Sequence, residues 1–362
     1  MCKQKNSFID KGSALLLTGE TDRLYFTRVT LAEGIVVVTE PQTVYFTDAR
    51  YFAMAKDKCN QKGVTPLLYK GLDSIKDYFK SNGIKRAYIN FDKTSLTEYS
   101  AYKKLGVRIL DGTKKINTAR AIKGEDELNL IARANEITFT AFQTAISSLK
   151  VGITEREVAA IIKAKMLELG AEDTSFETIV AFGKNSAVPH HETGDEKLTK
   201  DTVVLIDTGA KYKGYSADLT RTVFFGTPTE RFIYCYNAVL RANLVAEEII
   251  TDGTSAVKAD AYARDLLKEY PFNAACDEGK DDKTLADYFT HSLGHGIGLD
   301  VHEYPTLSPK GDATLKNGMV FSVEPGVYIE GEFGIRIEDS VTLKNGKVVR
   351  FYTDDKKLIC IS

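Results

Sequence analysis

The segment "TVVLIDTGAKYKGYSADLTRTVFFG", residues 202–226, consists of two apolar runs on either side of a glycine-containing turn, "AKYKG". Runs of this length and composition predict two arms of a β-hairpin. Asp207 ends the run "VVLI", and Asp218 follows eleven positions later in the second arm. Further on, "GMVFSVEPGVYIE" and "FGIRIEDSVTL" repeat the arrangement, with Glu324 and Glu338 fourteen positions apart and Gly331 midway between them. An unbulged hairpin sets those two glutamates directly opposite each other, with β-carbons about 4.5 to 5.5 Å apart, where like charges destabilise the pair. Such a pair calls for a cation or a shared proton.

Strand carboxylates ordinarily point to solvent. Four of them in two apolar hairpins pose a different problem, because an unpaired buried carboxylate takes up a proton, whereas a dinuclear metal centre compensates several acids together. The segment "HSLGHGIGLDVHEYP", residues 291–305, lies just upstream of the second hairpin and holds three of the chain's five histidines. Gly294, Gly296 and Gly298 argue for a loop or irregular strand rather than a helix. Oxygen-rich ligation with one imidazole suits Mn, Co, Fe or Zn, with two ions about 3.5 to 4 Å apart.

Each hairpin follows a pair of helices. The patterns predict helices over residues 125–149 and 154–169, the second opening with a Thr154 to Glu157 capping box, and again over 230–250 and 255–270. Gly152 and Gly253 interrupt the two pairs at matching places, as suits the left-handed end of a helix. The C-terminal part therefore reads as internally duplicated. Residues 1–117 read differently. There β-like runs, "GIVVVTE", "QTVYFTDARYF", "KRAYINFD" and "VRILDG", alternate with a helical "GLDSIKDYFKSNG", and histidine is absent. This is the pattern of a small α/β domain.

Composition bounds the function. The 362 residues are 43% hydrophobic and 27% charged, as in a globular chain with a substantial core. Lys and Arg number 48 against 50 Asp and Glu, with no long basic block, which speaks against nucleic acid. Five scattered cysteines, Cys2, Cys59, Cys235, Cys276 and Cys360, fit unpaired thiols in a reducing compartment, so a cytoplasmic location is expected. The longest early apolar run, "ALLL", is too short for a signal peptide, and no segment predicts a membrane span.

The motifs "SFETIVAFGKNSAVPH", "LIDTGAKYKGYSADLTRTV", "HSLGHGIGLDVHE", "VFSVEPGVYI" and "GIRIEDSVTL" resemble those of the M24 pita-bread metallopeptidases, in particular aminopeptidase P and prolidase. The likeness runs from about residue 122 to the C-terminus, and "FTDARYF" more loosely resembles the creatinase-type N-terminal domain of the same enzymes. The resemblance implies an α+β chain: a creatinase-like α/β domain over residues 1–117, then a pita-bread catalytic domain over 118–362 with pseudo-duplicated helix and strand halves. It implies metal ligands at Asp207, Asp218, His295, Glu324 and Glu338, holding two divalent ions, with manganese the first expectation and cobalt, zinc or iron as alternatives. By the same route His190 and His302 face the substrate, His291 lies beside a proline subsite, and Arg336 stands behind the ligands. Glu324 both binds metal and carries the proton to the leaving prolyl nitrogen.

The implied activity is hydrolysis of the Xaa-Pro bond at the N-terminus of short peptides with proline second, by a homodimer that binds neither nucleic acid nor membrane. Methionine aminopeptidases resemble only the C-terminal part, and creatinase-like enzymes and non-catalytic modules of this fold lack the intact ligand set. Between aminopeptidase and dipeptidase, Thr306 decides the expectation. Many prolidases carry arginine shortly after the "VHEYP" stretch, and threonine cannot clamp a product carboxylate as a guanidinium does. An aminopeptidase is therefore the first expectation, a dipeptidase the alternative. The N-terminal domain, which has no catalytic constellation, is expected to limit access and to carry homo-oligomer contacts.

Overall fold

The computed structural model describes residues 9–275 and 282–362, and the chain forms two compact units, Met1–Arg120 and Ala121–Ser362. Cys2 and Cys276 lie outside the described residues. Of the other cysteines, Cys59 and Cys235 are buried free thiols and Cys360 is an exposed one.

The first unit runs β1 (Ser13–Leu17), α1 (Glu20–Thr27), β2 (Ile35–Val38), β3 (Thr43–Thr47), α2 (Ala49–Asn60), β4 (Thr65–Leu68), α3 (Leu72–Ser81), β5 (Arg86–Ile89), α4 (Leu96–Tyr102), β6 (Arg108–Asp111) and α5 (Thr113–Ala121). Its six-stranded sheet has the order β4-β3-β2-β1-β5-β6. Antiparallel pairs join β1, β2 and β3, and the outer strands pair in parallel. Leu16, Val37, Phe46 and Phe79 anchor its core. The sequence run "QTVYFTDARYF" is only half strand. The Asp48 carboxylate accepts from Arg50 N at 2.8 Å and caps α2, so the chain turns helical where β-propensity alone would continue the strand.

The second unit opens with α6 (Glu125–Ser147) and α7 (Glu155–Glu168), followed by β7 (Asp173–Thr174), β8 (Ile179–Phe182), β9 (Thr202–Thr208), β10 (Ala210–Tyr212), β11 (Tyr215–Ser216) and β12 (Leu219–Phe225). Then come α8 (Glu230–Ile249), α9 (Ala256–Lys268), β13 (Gly294–Gly296), β14 (Glu303–Leu307), β15 (Val320–Val323), β16 (Gly326–Ile329), β17 (Phe333–Arg336), β18 (Glu338–Lys344), β19 (Lys347–Arg350) and β20 (Cys360–Ile361). Helices α7 and α9 start on capping hydroxyls, Thr154 accepting from Glu157 N and Ser255 from Lys258 N.

The duplication is visible in backbone detail. Gly152 and Gly253 sit in the turns between the helices of each pair, a few residues past the helix end, with φ of 88° and 90°. Gly152 N donates to Leu198 O at 2.8 Å, and Gly253 N to Leu315 O at 2.9 Å. Both positions need a left-handed backbone, which glycine adopts without the Cβ penalty. The main sheet runs β14-β13-β15-β18-β12-β9-β8, with β19 beside β18 and β20 beside β12. Strands of the two repeats meet at the β18–β12 junction, paired through Leu219 with Asp339 and Thr220 with Glu338. One apolar cluster, with α6 and α7, includes Phe142, Ile162 and Ile206, and another, with α8 and α9, includes Phe232, Val239 and Phe321.

Candidate active site

The site lies where both hairpins change partners. In the second hairpin, β15 pairs β18 through Val323 and Asp339, while β16 pairs β17 through Gly326 and Arg336. The two ladders share one register, interrupted at Glu324, Pro325 and Ile337, and that register sets Glu324 opposite Glu338. The first hairpin is built likewise, with β9 on β12 and β10 on β11, but its register pairs Asp207 with Thr220. Asp218 lies just before β12 rather than within it, two residues before Thr220 and so on the same face as Asp207. The two aspartates are thus diagonal neighbours, not a facing pair.

His295 comes to the acids on β13. A Cβ on Gly294 would lie 2.1 Å from Ser322 O, so only glycine lets β13 approach β15 this closely. His295 N donates to Ser322 Oγ at 3.0 Å. Its Nδ1 lies 3.2 Å from Gly296 O and is therefore the protonated nitrogen. The Nε2 lone pair is left facing Glu324 Oε1 at 3.3 Å and Asp218 Oδ2 at 3.6 Å.

Three overlapping groups can each present metal-ligating atoms within 4.8 Å of one another: Asp207, Asp218 and Glu338; His295, Glu324 and Glu338; and Asp218, His295 and His302. The electrostatics favour a cation. Burial, then the neighbouring Glu338, Asp207 and Glu324 charges, push the Asp218 carboxyl well above its ordinary range. Burial and then Glu324 and Asp207 do the same to Glu338. Burial lifts Glu324 to about 8, and burial with neighbouring His302 lowers His295 to about 3, leaving a neutral imidazole. Asp207 Oδ1 is buried without a hydrogen-bond partner among the described residues. A group of crowded carboxylates, a neutral imidazole with its lone pair inward and an orphaned carboxylate oxygen together fit a divalent-ion donor set.

Arg336 ties the hairpins together. Its Nη2 donates to Asp207 Oδ2 at 2.6 Å, its Nε to Thr220 Oγ1 at 3.0 Å, and its Nη1 to Tyr328 Oη at 2.7 Å. Thr220 passes the link on by donating to Glu338 Oε2 at 2.6 Å. Tyr328 in turn lies 2.8 Å from His291 Nε2, and His291 Nδ1 lies 2.8 Å from Ser292 O. Both ring nitrogens of His291 are therefore engaged, and burial lowers it to about 3. His190 and His302 are exposed at the mouth of the cavity, and the His302 and His295 ring centroids are 4.2 Å apart. His191 stands apart: it meets the buried Glu155, which also accepts from Phe182 N, Asn185 and Gly194 N.

The cavity encloses about 560 Å³, and beyond the acids and histidines its walls include Phe176, Glu177, Ile179, Pro189 and Thr306. The nine side chains given site roles by the resemblance all line it. Thr220, Ser322 and Tyr328 were not singled out. Thr220 and Ser322 could have been found by the strand alternation, being two residues after Asp218 and two before Glu324. Ser322 Oγ donates to Glu324 Oε1 at 2.9 Å.

Residues 129–345 match the model of metallopeptidase family M24, and residues 10–122 match that of the creatinase/prolidase N-terminal domain. The chain belongs to metallopeptidase family M24. Among similar proteins, the Xaa-Pro dipeptidase of Pyrococcus horikoshii is 34% identical over 360 residues, covering 97% of this chain and 96% of the relative. Among solved structures, the Xaa-Pro dipeptidase from Bacillus anthracis superposes with a TM-score of 0.91 at 31% identity, covering 99% of both chains. An X-Pro aminopeptidase from Thermotoga maritima does so with a TM-score of 0.86 at 31% identity, again covering 99% of both. This M24 chain is thus a metallo-exopeptidase with the creatinase N-terminal domain and the pita-bread C-terminal domain. No helix among its described residues is long and apolar enough to cross a membrane.

Proposed function

We propose that the chain is an Xaa-Pro dipeptidase whose Asp207, Asp218, His295, Glu324 and Glu338 hold two divalent cations. The observation that carries this reading is the convergence of four acids and one neutral, lone-pair-inward imidazole on one 560 Å³ cavity. The aminopeptidase reading that Thr306 suggested gives way here to the dipeptidase alternative, which the names of the similar proteins from Pyrococcus horikoshii and Bacillus anthracis support.

Bound at these ligands, divalent ions supply Lewis-acid charge that lowers the pKa of a water molecule toward neutrality. The chain's own groups do the rest. Glu324 Oε2, within 3.8 Å of His291 Nδ1, takes up the proton released as water attacks and hands it to the departing prolyl nitrogen. His302 and His190, at the mouth, donate hydrogen bonds to the scissile carbonyl oxygen as it gains charge. Arg336 holds Asp207 in place, and His291, with both nitrogens engaged, forms the cavity wall and orients Tyr328. Proline at the second position suits such a site. The X-Pro amide has no N–H to be gripped, and nothing in this arrangement requires one.

One observation favours a second reading, an aminopeptidase acting on longer peptides. Thr306 puts a hydroxyl on the cavity wall, and the lining guanidinium, Arg336, already donates to Asp207, Thr220 and Tyr328. A dipeptide carboxylate would then have to be met by the mouth imidazoles. Steady-state kinetics on Ala-Pro and Ala-Pro-Ala decide between the two: a dipeptidase gives the higher kcat/KM on Ala-Pro, and preference for the tripeptide overturns that reading.

A further inference from the structure

Behind the sheet, on the face away from the cavity, lies a buried charged cluster that the proposed chemistry does not use. The pleat that turns Thr220 and Glu338 toward the site turns their neighbours Arg221 and Asp339 to the other side. Arg221 Nη1 donates to the carbonyls of Glu338 at 2.6 Å and Thr220 at 3.0 Å, and its Nη2 to Asp339 Oδ1 at 2.7 Å. The junction between the repeats has a register of only two residue pairs, and this guanidinium adds bonds across it beside those of Thr220 and Ser340.

Lys356 enters the same cluster from the segment between β19 and β20. It adopts a left-handed backbone with φ of 56°, and its side chain is fully buried. Its ammonium meets three acceptors: Asp339 Oδ2, Glu247 Oε1 at 2.8 Å and Asn243 Oδ1. It donates hydrogen bonds to Glu247 and Asn243 and forms an ion pair with Asp339. Tyr236 Oη fixes the backbone of the same residue by donating to Lys356 O at 2.9 Å.

Asn243 connects this cluster to the site. From α8 its Nδ2 donates to Val323 O at 2.8 Å and to Ile337 O at 3.1 Å. Those carbonyls immediately precede Glu324 and Glu338, at the point where both strands leave their ladder. A side-chain amide has one accepting end and one donating end, so a cation held at Oδ1 goes with an Nδ2 that faces the strand break. The two carbonyls can only accept and the ammonium can only donate, so both ends of the amide favour one orientation, and Lys356 anchors it from behind the strand break.

We propose that Lys356 is a positioning residue of the metal centre: through Asn243 and Asp339 it sets the placement of Glu324 and Glu338, and thereby the affinity of the site for its cations. The proposal rests on the reading of these glutamates as metal ligands. It also makes the C-terminal segment part of the active-site architecture, although it contributes nothing to the cavity lining.

The test compares the unaltered full chain with a charge-balanced Lys356→Met/Glu247→Gln double variant and with Asn243→Ser, which changes no charge. Mn²⁺ is titrated calorimetrically into each metal-free protein, and the visible absorption spectrum of each Co²⁺-loaded form is recorded, with cooperative melting as the check of folding. The unaltered chain should bind two ions. Both variants should bind more weakly by about 10-fold or more, as expected for supports behind a ligand, and show an altered Co²⁺ spectrum. A cooperatively melting variant with unaltered affinity and an unaltered spectrum overturns the proposal. Should the double variant not fold, Asn243→Ser is read by the same two outcomes. Failure of the unaltered chain to bind any ion is a separate result, which removes the ligand reading and this proposal with it.

Discussion

In the hairpin of β9 and β12 the two aspartates sit diagonally, and Asp207 is gripped at 2.6 Å by Arg336, an arginine from the other hairpin. In the hairpin that includes β15 and β18 the two glutamates share a register position, and among the described residues they accept side-chain hydrogen bonds from hydroxyls, Ser322 on Glu324 and Thr220 on Glu338. Duplication has supplied two similar frames with unequal charge balance. The first hairpin has a fixed guanidinium partner. The second has hydroxyls that donate a hydrogen bond without cancelling charge, so its two glutamates depend more on a bound cation.

The largest effect should come from disturbing the second hairpin. Glu324→Gln keeps the shape of the side chain but cannot carry a proton, and kcat should fall by about 10³-fold or more. Steady-state kinetics beside metal analysis check this, and a loss under 10-fold would remove Glu324 from proton transfer.

Next come the two histidines. His295→Ala should lower metal occupancy together with activity, since its Nε2 faces both Asp218 and Glu324. His302→Ala should keep nearly full occupancy and lose kcat by about 10²-fold, as when a transition-state donor is removed. Because His302 also lies within ligating reach of Asp218 and His295, equal metal loss in both variants would instead make it a ligand.

A smaller effect is expected at the link between the hairpins. Thr220→Val removes the hydroxyl that receives from Arg336 and donates to Glu338. Leaving these partners unsatisfied should cost about 1 to 3 kcal/mol of stability. Denaturant unfolding measures it, and an unchanged midpoint would mean that the hairpins are coupled by backbone alone.

The smallest effect is a pH dependence of the metal-free chain. Burial raises Glu324 in the folded state from an ordinary 4.5 to about 8. A carboxyl raised in this way adds stability that is fully present below about 4.5 and is lost as the pH rises through about 8. Melting of chelator-treated protein should therefore shift downward between pH 6 and pH 9, and saturating Mn²⁺ should flatten the trend. A parallel decline with and without metal would show that Glu324 does not titrate with the ion.

Much of this was legible in the sequence for identifiable reasons. Gly331 at the midpoint between Glu324 and Glu338 fixed their register, because a strand pair that closes on a tight turn counts evenly outward on both arms. The same counting could not place Asp207 and Asp218, whose hairpin pairs Asp207 with Thr220. The helix pairs were readable from caps and glycines, which are local signals. Asn243, Arg221 and Lys356 were not readable. Each acts on residues about 80 to 120 positions away, through packing that no short window of sequence contains.

The continuous register of the second hairpin has a practical consequence. Its alignment at Glu324 and Glu338 is already held by the β15 and β18 ladder, while its tip at residues 330–332 is exposed and turns through Gly331 at a φ of 78°. Extra residues inserted at that tip lengthen only a surface loop. The tip is therefore a place to graft a fluorophore-bearing or affinity-tag peptide that leaves the glutamate spacing as it is.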